Sequence, residues 1–176
     1  MSDSPRFGPG DLALAGLPTV YAPELFADRV VLVSGGGSGI GKAIAFLFAR
    51  LGAQLVICGR KAERLAETAV QLRALSGRDV LVQPMSIRDP DAVRALFDAT
   101  WQRFGTLDVL VNNAGGQFAA HAIDFSPKGW NAVIDTNLNG TTYMMQAAAR
   151  HWIDAGRGGS IITIAAAVDR GLTGMA

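Results

Sequence analysis

Eight residues early in the chain, Ser34-Gly35-Gly36-Gly37-Ser38-Gly39-Ile40-Gly41, have the composition of a phosphate cradle. In such a loop one glycine lets the backbone turn tightly, a second lets a pyrophosphate approach without meeting a Cβ, and a third lets the next helix pack closely on the preceding strand. The free N–H groups at that helix's N-terminus then face the phosphates. A plain turn can have the same composition. Context separates the two, because the cradle needs a strand before it and a helix after it.

Three further stretches carry polar groups at useful places. Cys58-Gly59-Arg60-Lys61 has no carboxylate to bind the hydroxyls of an adenosine ribose, which disfavours NAD. Arg60 instead offers a planar guanidinium fork suited to a 2′-phosphate, and NADP(H) is the expected cofactor. A solvated arginine at a helix start is the bland alternative. Val111-Asn112-Asn113-Ala114-Gly115-Gly116 places amides and small residues at a strand end, where they can support a cofactor or form an ordinary turn. Thr136-Asn137-Leu138-Asn139-Gly140 is poor material for a helix interior. A break there frees a backbone carbonyl and points Asn137 toward the site, or is a break and nothing more.

The elements that must position these residues follow from the apolar pattern. Strands are expected at Val30–Val33, Gln54–Cys58, Asp79–Gln83, Leu107–Val111 and Gly159–Ile164, each a short apolar run of the kind buried on both faces of a parallel sheet. Helices are expected at Lys42–Leu51, ended by Gly52, and at Lys61–Leu75, with Leu65, Val70, Leu72 and Leu75 on its apolar side. A third runs from the Asp89 cap and Pro90 to Phe104. A fourth, long stretch runs from Ser126-Pro127 to Asp154. Strict alternation of strand and helix predicts an α/β, Rossmann-type doubly wound parallel sheet, with the ligand outside the strand C-termini. Residues 1–28 hold Pro5, Pro9, Pro18 and Pro23 and read as an irregular N-terminal arm; residues 29–176 read as the dinucleotide-binding domain.

Composition narrows the function classes. The 176 residues are 49% hydrophobic and 18% charged, enough apolar material for one folded domain. A net charge of +1 leaves no electrostatic footprint for nucleic acid or an anionic membrane. One cysteine, Cys58, and two histidines, His121 and His151, form no familiar metal-ligand spacing, so no metal is expected. Cys58, inside a strand, reads as a small hydrophobe. His121 reads as a surface loop residue, with a place facing substrate as the alternative, and His151 and Trp152 as groups late in the long helix that pack or face a partner. No apolar run is long enough to span a membrane and no secretory leader is evident, so a cytoplasmic protein is expected.

Together these motifs resemble the short-chain dehydrogenase/reductase family: Ser34-Gly35-x-x-x-Gly39-Ile40-Gly41, then Asn112-Asn113-Ala114-Gly115, then Asn137 within Asp135–Gly140. Asn113-Ala-Gly-Gly-Gln-Phe118 and Ser126-Pro-Lys-Gly-Trp-Asn131 are similar to the trans-2-enoyl-CoA and 2,4-dienoyl-CoA reductases of that family, and terpenoid-alcohol dehydrogenases are similar too. The resemblance implies an NADP(H)-dependent oxidoreductase delivering hydride to an enoyl thioester, with an alcohol or carbonyl dehydrogenase as the alternative. It implies phosphate contacts from Gly35, Gly39, Ile40 and Gly41, with a hydroxyl contact from Ser38. It places Arg60 at the 2′-phosphate, Ser86 and Ile87 by the adenine, and Asn113 beside the adenosine ribose. Asn137 is implied as a catalytic residue holding a proton-relay water. An acyl-CoA substrate and a homo-oligomeric full-length protein are implied as well.

The sequence departs from that family in four places. Ser34 stands where threonine is common, and keeps the hydroxyl. Ser86 stands where an aspartate is usual. Ala165-Ala166 stands where a catalytic serine is usual, and a methyl group cannot hydrogen-bond an oxyanion. The family's tyrosine, with its lysine four residues on, is absent: Tyr21 and Tyr143 are followed at that spacing by Leu25 and Ala147. Tyr143 reads as a core or interface residue, and Lys42 and Lys61 as solvated helix starts. About five of the family's usual seven strands are present. The expectation is a C-terminally truncated domain whose Ser160–Ile164 run forms an exposed apolar edge prone to self-association. A non-catalytic dinucleotide-binding fragment is the second reading.

Overall fold

In the computed structural model, which describes residues 9–117 and 120–166, five strands form one parallel sheet. They are β1 (Val30–Ser34), β2 (Gln54–Gly59), β3 (Val80–Pro84), β4 (Val109–Asn112) and β5 (Ser160–Thr163), in the order β3-β2-β1-β4-β5. The helices are α1 (Asp11–Gly16), α2 (Gly39–Arg50), α3 (Ala62–Ser76), α4 (Pro90–Phe104), α5 (Pro127–Ile134) and α6 (Thr141–Asp154). Pro5, Phe118 and residues 167–176 lie outside the described residues.

Alternate strand residues feed two cores, one on each face of the sheet. Leu32, Val56, Cys58 and Leu110 pack with Leu96 and Phe97 of α4 and with Met144 and Trp152 of α6. Val31, Val33, Leu55 and Ile57 pack with Phe46 of α2 and with Leu65 and Leu72 of α3. The continuous apolar runs of β1 and β2 are therefore explained by burial on both faces. β1 pairs with β2 on one side and β4 on the other, so the chain reverses its winding direction there. The loops after β1 and β4 flank a crevice at this switch point. β5 lies at the sheet edge with all four residues exposed.

The opposite end of the sheet is tied by Asp108. Its carboxylate accepts from the Val30 N–H at 2.9 Å, from Arg29 at 3.0 Å and from Arg157 at 2.9 Å. Trp152 Nε1 donates to the Leu107 carbonyl at 2.7 Å, and β4 begins at Val109 rather than at Leu107 as expected. His151 stacks on Trp101, with ring centroids 4.4 Å apart.

Several sequence expectations need correction. The arm is not wholly irregular: α1 lies within it, with Leu14 and Ala15 packed on the core beside α2. Lys42 is not a free solvated residue. Its ammonium sits 2.9 Å from Asp11, and its side chain is only 15% exposed. Val70 is not on the buried side of α3; Thr68 and Ala69 take that place. α2 starts at Gly39, three residues before the expected start, so the last glycines of the loop form its first turn.

Candidate functional site

The glycine loop folds back against β2, where the Gly35 N–H donates to the Cys58 carbonyl at 2.8 Å. Gly41 is required by contact. A Cβ there would lie 2.3 Å from Asn113 Nδ2 and 2.4 Å from the Gly35 oxygen. Ser38 caps α2, yet its side chain makes no capping hydrogen bond. The first N–H groups of α2 thus have no side-chain partner there, which suits an anionic ligand. A Cβ at Gly39 would meet nothing within 4 Å, so the space over this turn is open.

The loop after β4 is joined to β1 through Ser34, which is buried. Its hydroxyl accepts from the N–H groups of Asn113 and Ala114, both at 3.0 Å, and donates to the Val111 carbonyl at 3.3 Å. Asn112 is buried at the strand end and does not line the cleft.

Between these loops runs a cleft of about 460 Å³. It brings together Gly35, Ser38, Ile40, Gly41, Arg60, Ser86, Ile87 and Asn113. Gly39 and Asn137 do not line it, although Thr136 does. Four cationic side chains, Arg60, Lys61, Arg64 and Arg88, also line it, and among the described residues no carboxylate does. Sequence reasoning missed Lys61, read there as a solvated helix start, and also Arg64, Arg88 and Thr136. Arg64 had a signal, since it lies in the first turn of the helix that starts just after Arg60; Arg88 had none in its spacing.

Beyond α5 the helix changes register. Asp135–Gly140 is a π-helical segment, which is the break foreseen around Asn137. Asn137 Oδ1 accepts from the Gly116 N–H at 3.0 Å, and its Nδ2 donates to the Gly116 carbonyl at 2.9 Å. Gly140 packs so closely on Ile87 that a Cβ would lie 2.7 Å from its side chain. Tyr143 packs partly buried against the core, and His121 is exposed in its loop. Neither lines the cleft. Cys58 is fully buried in β2, and burial pushes its thiol up to about 12.

The family model for short chain dehydrogenases matches residues 29–173. The chain belongs to the short-chain dehydrogenase family. Family members bind a nicotinamide dinucleotide. A probable 2,4-dienoyl-CoA reductase of Bacillus subtilis is 41% identical over 138 residues, 78% of this chain and 54% of that protein. The structure of a citronellol catabolism dehydrogenase from Pseudomonas aeruginosa superposes with a TM-score of 0.82 at 36% identity, covering 89% of this chain and 64% of that one. A short chain dehydrogenase from Burkholderia cenocepacia, in complex with NADP, gives a TM-score of 0.72 at 36% identity, covering 78% and 55%. The chain spans about half the length of the curated relatives it matches. Among the described residues no helix is long and apolar enough to cross a membrane.

Proposed function

We propose that this chain forms the dinucleotide-binding part of an NADP(H)-dependent oxidoreductase whose whole protein reduces an enoyl or dienoyl thioester of coenzyme A. The observation that carries the cofactor choice is the cleft lined by four cationic side chains and by no described carboxylate. An extra phosphate is favoured there, and a ribose-binding carboxylate is missing. The dienoyl-CoA reductase named above supports the substrate class.

The uncapped start of α2 and the Gly35–Gly41 turn hold the phosphates, with Ser38 as a hydroxyl contact. Arg60 meets the 2′-phosphate. Ser86 and Ile87 lie against the adenine, and Asn113, fixed on Ser34, lies by the adenosine ribose. When bound, the nicotinamide supplies the hydride. Asn137 spends two of its amide's hydrogen-bonding positions on Gly116. One N–H and one lone pair remain, enough to hold a water on a proton path. Among the described residues neither tyrosine, Tyr21 nor Tyr143, lines the cleft, and no general acid is assigned.

An alcohol or carbonyl dehydrogenase is the second reading, favoured by the likeness to the citronellol enzyme. Ala165-Ala166, lacking a hydroxyl, counts against it.

Titration with NADPH and NADH tests the cofactor. The native protein should bind NADPH at least about ten-fold more tightly, the worth of one charge-assisted contact, and Arg60→Ala should erase most of that difference. Equal affinities in the native protein would sink the cofactor reading. For the reaction, the full-length protein is offered a 2,4-dienoyl-CoA, a trans-2-enoyl-CoA and a terpenoid alcohol while nicotinamide absorbance is followed. Turnover of the alcohol alone would replace the thioester reading with the dehydrogenase one.

A further inference from the structure

We propose that Arg88 is a positioning residue for Asn137, clasping the π-helical turn so that the Asn137 amide stays on Gly116; its consequence for catalysis, though not its geometry, rests on the cofactor-site reading above.

A π turn is rare and survives only where its surroundings hold it. The junction lies between Ile134, the last residue of α5, and Asp135, the first of the π segment. Arg88 spans that junction. Its Nη2 donates to the Ala132 carbonyl at 2.8 Å and its Nε to Thr136 Oγ1 at 2.5 Å. Thr136 Oγ1 in turn donates to the same Ala132 carbonyl at 2.9 Å. The three groups close a triangle across the change of register, and the residue after Thr136 is Asn137.

The far end of the π segment is held by the neighbouring residue. Gly140 sits against Ile87, closely enough to exclude a Cβ. Two consecutive residues of the β3–α4 loop thus grip the segment on both sides of Asn137, Arg88 before it and Ile87 after it. Nε and Nη2 form one edge of the guanidinium fork, and both are spent on the clasp. Arg88 therefore differs from Arg60, Lys61 and Arg64, whose side chains make no hydrogen bond or ion pair with other described residues. The same loop carries Ser86, so the cofactor's adenine side and Asn137 are fixed by one piece of backbone.

The test is nuclear magnetic resonance on the isotope-labelled full chain without nucleotide. It reads the exchange rate of the Gly116 amide and the side-chain amide signals of Asn137. Arg88→Met keeps the aliphatic length and removes the donors; Thr136→Val removes the bridging hydroxyl and serves if the first variant does not fold. Each should speed Gly116 exchange by about five-fold, the worth of one ordinary hydrogen bond, and shift the Asn137 signals. Arg88→Lys should restore part of the protection. Arg94→Met, on the exposed side of α4, should change neither reading. Unchanged Gly116 exchange and Asn137 signals in a folded Arg88→Met or Thr136→Val chain would overturn the proposal. Failure of the native chain to bind NADPH would sink the cofactor reading and leave this measurement standing.

Discussion

Asn113 donates to Ser34 twice, once from its backbone and once from its side chain. The Ser34 hydroxyl accepts from the Asn113 N–H at 3.0 Å, and the Asn113 side-chain amide donates to the Ser34 carbonyl at 3.0 Å, across 79 positions of sequence. The pair joins the two loops that flank the crevice, so the geometry of one is set by the other.

Replacing Ser34 by alanine leaves two part-buried N–H groups, those of Asn113 and Ala114, without their acceptor. The expected cost is about 1–3 kcal/mol of unfolding free energy, read as a lower urea midpoint. Ser34→Thr keeps the hydroxyl and should stay close to native. Equal losses for both variants would mean that packing, rather than the hydroxyl, matters there.

Gly41→Ala should be far worse than its size implies. The added methyl collides with Asn113 Nδ2 and the Gly35 oxygen, so helix and loop must part. Nucleotide binding should fall by at least about a hundred-fold, reflecting roughly 3 kcal/mol of overpacking strain. Isothermal titration with NADPH measures it, and a native-like affinity would show that the turn relaxes freely.

Cys58 should be silent toward a thiol reagent at pH 8 while the chain is folded, because burial holds its thiol up at about 12. In guanidinium chloride one thiol per chain should react. The same shift has a pH consequence. Above the ordinary value of 9.0 the unfolded chain ionises while the folded one does not, so stability should fall as pH rises from about 9 toward 12. An alkaline limb unchanged in Cys58→Val would assign that loss to another group.

Asp79 sets the opposite limb. Hydrogen bonding from Arg73, at 2.9 Å, leads the causes that hold its carboxyl below the usual 3.8, with the Val80 N–H and Arg103 adding to it. A depressed folded value gives stability that is present above the unfolded value and lost as pH falls below about 3.8. The carboxylate is half exposed, so solvent screening keeps the effect modest. Asp79→Asn should lower the melting temperature slightly at pH 7 and flatten the acid limb. A melting curve whose acid limb keeps its native slope in Asp79→Asn would refute this.

Much of the frame was legible because local chemistry and tertiary fold agree. Asp89 caps α4, its carboxylate accepting from the N–H groups of Asp91 at 2.9 Å and Ala92 at 3.2 Å, as the Asp-Pro pair implies. Ser126 caps α5 through the Gly129 N–H. What was hidden depends on distant partners. α1 sits among prolines and glycines that argue for a loop, and it is held from outside by the Asp11–Lys42 pair and by Arg50 on the Leu14 carbonyl. Val70 fits the apolar period of α3, but the stripe facing the sheet is narrow enough for Thr68 to fill it. Around Asn137 the composition signals a break without its kind. A π turn is chosen by the groups that grip it, and those lie far off in sequence at Ile87 and Arg88.

The Asp108 cluster gives the molecule a reserve for change. It knots β1 and β4 at their N-terminal ends, while the glycine loop and Asn113 lie at the opposite ends of the same strands, about 15 Å away along the backbone. Substitutions that far apart combine almost independently. A lineage can therefore reinforce the lower knot first and spend the surplus later on loop variants that weaken folding but alter the ligand. The sheet in this way separates the part that must persist from the part that can be retailored.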